Sequence, residues 1–182
     1  MEARDDLLPV HYTSALRTLV RFASAAAILG LLSGVLFQES AKRLQHAEAP
    51  AGLHLEAVLS LALVHGHVLV SATLIPIAMA GALVLARRAG GAELSRRSVA
   101  WLTRGYLPCV TLAVLLMLYK GYHVLLSVRF GESDLDAIDA AYFGGVTALR
   151  HAVYGVVHVG MALGLGLFAV ALWRSLARAR MR

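Results

Sequence analysis

The stretch LEAVLSLALVHGHVLVSATLIPIAMAGALVLA, Leu55 to Ala86, is apolar throughout apart from one early acid, a few hydroxyls and two histidines, His65 and His67. At about 1.5 Å per residue, a helix of this length crosses roughly 30 Å of hydrocarbon with some tilt to spare. The run has neither the alternation nor the short length of a barrel strand, so a helix is the structure it predicts.

Three further runs share this character: Leu16 to Phe37, Trp101 to Val128 and Val146 to Trp173. The chain is therefore expected to be all-α, an integral membrane four-helix bundle forming a single transmembrane domain over residues 1–182. A cleaved signal peptide is disfavoured as the reading of the first run. An acidic segment (Glu2, Asp5, Asp6) precedes it, and Pro50 follows the only candidate cleavage site.

Composition agrees. Hydrophobic residues make up 59% of the chain and charged ones 15%, more apolar surface than a soluble domain of 182 residues could bury. The net charge of +6 does not point to nucleic acid, because the basic residues sit at the edges of apolar runs rather than along one face. Cys109 is alone, so it forms no internal disulfide and no thiolate cluster; it reads as a small buried side chain.

The arginines orient the bundle. Arg87, Arg88, Arg96, Arg97 and Arg104 flank the second connection, and Arg174, Arg178, Arg180 and Arg182 the C-terminus, whereas the third connection carries Glu132, Asp134, Asp136 and Asp139. The first connection is mixed. The positive-inside rule places both termini and the second connection in the cytoplasm of a multi-pass protein, for which a bacterial inner membrane is the expected location. Gly30 with Gly34, and Gly160 with Gly164, are small-x-x-x-small pairs that predict close helix packing, within one chain or between two.

Ionisable groups inside a bilayer are costly and are candidates for function. Of eight histidines, His11, His46 and His54 fall outside the apolar runs; His65, His67, His123, His151 and His158 lie in or near them. Given the orientation above, all five fall in the outer half, with His67 and His158 at nearly matching depth. His151 and His158 are two turns apart on one face, with Tyr154 and Gly155 between them, and Gly155 would let a flat group approach the backbone. His65 and His67 are about 200° apart round their helix, so they cannot face one site. Tyr119, Lys120 and His123 share a side of the third helix, and Lys120 is expected to snorkel or to find an anion.

Heme b meets these requirements: axial imidazoles from facing helices, a glycine that clears space, and Lys120, Arg129 and Arg150 to pair with propionates. A bare copper or zinc ion is the alternative, and would need its ligands closer together. Proton carriage by free imidazoles in a small transporter or channel is a third reading, with only Pro76 and Pro108 to hint at broken helices.

The run His65-Gly66-His67-Val68-Leu69-Val70, continuing through Ile75-Pro76, resembles a helix of the heme-copper oxidase catalytic subunit. With Tyr122-His123 and Gly155-Val156-Val157-His158, it also resembles a family of short four-helix bacterial membrane proteins, across about the last two-thirds of the chain. The oxidase resemblance implies His65 or His67 as one axial ligand, with His158 facing it. No three-histidine copper site is visible, so oxygen reduction with proton pumping is not expected. The functions implied are electron transfer or binding of O2 or NO, as an oxidoreductase or electron carrier, or an accessory place in a larger respiratory complex. A homodimer is expected, because four helices enclose a large cofactor poorly. No nucleophile arrangement, phosphate loop or intramembrane carboxylate pair supports a hydrolase or transferase.

Overall fold

A computed structural model describes residues 8–42 and 51–179. The acidic N-terminal segment, His46, the candidate cleavage site and the last three residues lie outside it. All regular structure among the described residues is helical, and four helices are long and apolar enough to cross a membrane: Val10–Lys42, Gly52–Arg88, Arg96–Arg129 and Thr147–Ala177. The first span is one helix, α1 (Val10–Lys42), of 33 residues. That is about 50 Å, so its ends project well beyond a 30 Å hydrocarbon core. The first helix begins and ends more than a turn outside the apolar run that predicts it, and the other three follow theirs to within about two turns at either end.

Spans two and three are each interrupted. The second comprises α2 (Ala51–His67), a wide π turn (Val68–Leu74) and α3 (Ile75–Arg88). The third comprises α4 (Arg96–Trp101), a π turn (Leu102–Tyr106) and α5 (Leu107–Arg129). A proline stands two residues beyond each wide turn, Pro76 and Pro108, where its missing N–H and bulky ring disfavour ordinary helical bonding. The Ile75 N–H reaches back five residues to the Val70 carbonyl, and Pro76 has no N–H to offer Ser71. The Ser71 carbonyl is satisfied instead by the Tyr106 hydroxyl, 2.8 Å away, from within the other wide turn. In a medium without water such an acceptor must find a partner inside the protein.

Short polar segments join the spans. Ser95 caps α4, accepting from the Ser98 N–H at 3.2 Å. Asp134 caps α6 (Leu135–Ala141), accepting from the Asp136 and Ala137 N–H groups at 2.9 and 3.2 Å. Gly131 closes α5 with φ +97, the left-handed conformation that a helix C-terminus favours. A 3-10 turn (Tyr142–Gly145) then leads into α7 (Thr147–Ala179).

The first span packs along all three parts of the second, α2 packs on α5, and α7 packs on α5 and on the turn before it. The second span reaches the fourth through α3. Glycines set the approach. A Cβ on Gly30 would stand 3.0–3.1 Å from the Leu69 and Val68 side chains. On Gly121 it would stand 2.6 Å from Leu61, and on Gly164 3.0–3.4 Å from Tyr106, backbone included. Gly160 likewise faces Cys109, so both small-residue pairs work within the chain.

One end of the bundle carries the described ends of both terminal helices. There Tyr12, fully buried, accepts a 2.7 Å hydrogen bond from the Leu94 N–H, and the Ala92 N–H donates to the Ser175 carbonyl at 3.1 Å. The opposite end carries α6 and the acidic connection.

Candidate functional site

Four of the five membrane histidines share a feature that sequence alone does not reveal. In His65, His67 and His158, Nδ1 lies 2.6, 2.8 and 2.8 Å from the carbonyl of Ala62, Leu63 and Tyr154 respectively, three or four residues back on the same helix. A carbonyl can only accept, so Nδ1 carries a proton, and Nε2 is left without a hydrogen-bond partner among the described residues. His123 is tied the other way, with Nε2 donating to the Ile138 carbonyl at 2.9 Å. His65, His67, His151 and His158 are exposed on the bundle surface, while His123 is half-buried.

The histidines do not gather into one cluster. Among the described residues no three His, Cys, Asp or Glu side chains stand close enough to hold a metal ion together. His65 lies against the first span, its ring 3.8–3.9 Å from where a Cβ on Gly34 would be. The α5 helix meets α2 through Gly121 and holds Tyr154 of α7 through Leu116, positions about 140° apart round α5. His67 and His158 are thus carried on helices held to different faces of α5.

His158 belongs to an aromatic assembly that closes the acidic end. Its ring stacks on Tyr154, centroids 6.1 Å apart and 17° between planes. The Tyr154 hydroxyl lies 2.9 Å from that of Tyr142, and both donate to the Leu116 carbonyl at 3.2 Å. Tyr119 packs on Tyr142 at 5.0 Å and on Phe143 at 5.5 Å, and His123 packs on Tyr142 at 5.3 Å. Phe143 has φ +60, rare for a non-glycine residue and costing about 1–2 kcal/mol. Its ring, edge-on to Tyr142 at 4.9 Å, offsets that cost. Burial, reinforced by the Tyr154 hydroxyl, pushes the Tyr142 phenol well above its usual value.

Lys120 finds its anion in Asp139. The carboxylate receives Arg150 Nη1 at 2.6 Å on one oxygen and Lys120 Nζ at 3.3 Å on the other. The Arg150 hydrogen bond, seconded by Lys120, holds the Asp139 carboxyl below the usual carboxylate range. Two cations share one acid, leaving one positive charge in excess beside the histidines. Gly155 has nothing within 4 Å of where its Cβ would be, so a flat group has room against the backbone.

Asp139, Tyr142 and Phe143 are the participants that sequence reasoning passed over. The run Tyr142-Phe143-Gly144-Gly145, directly after the acids, is the signal that marks them. A cavity of about 500 Å³ lies elsewhere, between the first three spans, and none of the candidate histidines lines it.

No protein-family model matches the chain, and no curated protein or solved structure does so. The site is therefore read from its own geometry.

Proposed function

We propose that this chain is a membrane b-type cytochrome, with heme held by imidazoles near the acidic end of the bundle. The observation that carries the reading is the shared arrangement of His65, His67 and His158. Each spends its Nδ1 proton on a backbone carbonyl and leaves Nε2 without a hydrogen-bond partner among the described residues. Metal-ligating histidines generally have such a bond on the far nitrogen, because it fixes the tautomer and raises ligand basicity. Heme asks for one or two axial nitrogens, whereas a bare copper or zinc ion asks for three or four, which the described residues do not bring together.

His158 is the residue that would serve as an axial ligand beside Gly155, which gives room for the ring edge; His67, on a helix held to another face of α5, would serve as one through a second copy of the chain. Both imidazoles are exposed, so a second copy of the chain would cover the group, consistent with a homodimer. The extra positive charge around Asp139 suits propionates. When bound, heme supplies one-electron transfer, or O2 and NO binding if one axial position stays open.

Arg87, Arg88, Arg96, Arg97, Arg104 and Arg174 at the terminal end, against Glu132, Asp134, Asp136 and Asp139 at the other, support cytoplasmic termini in a bacterial inner membrane. The deciding experiment is the absorption spectrum of detergent-purified full-length protein, oxidised and reduced, with a pyridine assay for heme type. A sharp Soret band that His67→Ala and His158→Ala abolish or shift supports the reading. A protein that stays colourless after expression with added heme overturns it in favour of proton carriage.

A further inference from the structure

The seam between the first and third spans is chemically divided along its length. At the terminal end two adjoining recesses, of about 440 and 400 Å³, share Val10, Ser14 and Thr18 of α1. Arg17 and Arg21 stand on one side of this trough, and Arg96 and Arg104 on the other. All four are exposed, and among the described residues none forms an ion pair with a carboxylate. Arginines at a membrane edge often snorkel singly; here Arg96 and Arg104 line one hydroxyl-bearing recess and Arg17 and Arg21 line the recess adjoining it, which makes an anion-binding surface.

One turn further along α1 the lining changes. Thr18 still belongs to the trough, and Phe22 opens the apolar cavity of about 500 Å³ that runs between the first three spans. On the third span the succession is the same, from Thr103 and Arg104 in the trough to Thr111 and Leu118 in the cavity. Phe37 and Tyr122, packed edge-on at 6.3 Å, close its far end. From Phe22 to Phe37 the cavity follows α1 for about 22 Å, enough for an acyl chain crossing one leaflet.

We propose that this seam is a binding site for one anionic phospholipid, its phosphate among Arg17, Arg21, Arg96 and Arg104 and one acyl chain in the apolar cavity. Two independent features select the same occupant. The guanidiniums favour an oxyanion such as a phosphate, and the apolar cavity next along the seam favours one that carries a hydrocarbon chain. The site is remote from the histidines and does not depend on heme.

Native mass spectrometry of the detergent-purified full chain, titrated with phosphatidylglycerol or with phosphatidylcholine of the same acyl chains, tests the proposal. Phosphatidylglycerol should bind at least tenfold more tightly. The R96Q/R104Q double variant should lose that preference, whereas Arg129→Gln, at the other end of the bundle, should keep it. Ala25→Trp, which fills the cavity from an exposed position on its wall, should weaken phospholipid binding at least tenfold while leaving the thermal unfolding midpoint in place. Equal retention of the two lipids, or phosphatidylglycerol binding unchanged in R96Q/R104Q, overturns the proposal. Inorganic phosphate that competes fully at equal concentration, together with unchanged lipid binding in Ala25→Trp, reassigns the trough to a free anion and overturns it as well.

Discussion

The hydroxyls of Tyr142 and Tyr154 stand 2.9 Å apart and share a single acceptor, the Leu116 carbonyl, at 3.2 Å each. This small network ties the 3-10 turn to two spans at once. Tyr142 is almost fully buried, and Tyr154 is half-buried.

Removing either hydroxyl leaves the other on the Leu116 carbonyl, so Tyr142→Phe and Tyr154→Phe should each cost only about 0.5–1.5 kcal/mol. Tyr142→Ala removes the ring that Tyr119, His123 and Phe143 pack on, and should cost about 3 kcal/mol or more. Thermal unfolding in detergent separates the two classes. Because burial raises the Tyr142 phenol above its ordinary value of about 10, its contribution is fully present below about pH 10 and drains away as pH rises further.

Asp139→Asn withdraws the shared partner of Lys120 and Arg150 and leaves two like charges beside one another. The group is 44% exposed, so the loss should be modest, about 1 kcal/mol. The Arg150 hydrogen bond holds the carboxyl below the ordinary carboxylate range in the folded protein. Its stabilisation is therefore complete above about pH 4 and disappears as pH falls through the lower, folded value. Acid unfolding curves should show this loss in the parent protein and not in Asp139→Asn.

Glycines on the fourth span should respond in opposite directions. Gly164→Ala places a Cβ 3.0–3.4 Å from Tyr106, including backbone atoms that cannot swing away, and should lower the unfolding temperature. Gly155→Ala meets nothing and should be neutral or stabilising by up to about 1 kcal/mol through helix propensity.

The same open space gives a test of the heme reading that stability cannot mimic. Gly155→Leu should keep the unfolding temperature of the parent while lowering heme occupancy severalfold, read as the ratio of Soret to protein absorbance. Unchanged occupancy would show that no ring lies against Gly155.

Long apolar runs such as Leu55 to Ala86 carried the four spans plainly, because a bilayer leaves a chain few alternatives. The glycine contacts were half legible: Gly30, Gly160 and Gly164 stood out as small residues, but their partners Leu69, Cys109 and Tyr106 depend on how the four spans rotate against one another. The prolines at 76 and 108 were visible, yet the wide turns before them were not. Such turns hold only when something such as the Tyr106 hydroxyl meets the stranded carbonyl, and that is a tertiary fact. At the candidate site the histidine depths were readable, and the partner that Lys120 lacked in sequence was Asp139, nineteen residues away across a turn. The left-handed Phe143 offered no signal of its own, since its aromatic neighbours and the Val146 N–H on its carbonyl, which hold it there, are set by the folded turn.

The bond from Tyr106 to Ser71 also bears on how the chain is built. A span that enters the lipid alone with a stranded carbonyl carries a debt of several kcal/mol until a donor arrives. The donor here belongs to the next span to be synthesised, and it sits in that span's own irregular turn. The second span therefore reaches its final bend only when the third has come in beside it. The two must mature as a pair, leaving the first and fourth spans, each one uninterrupted α-helix, free to insert singly.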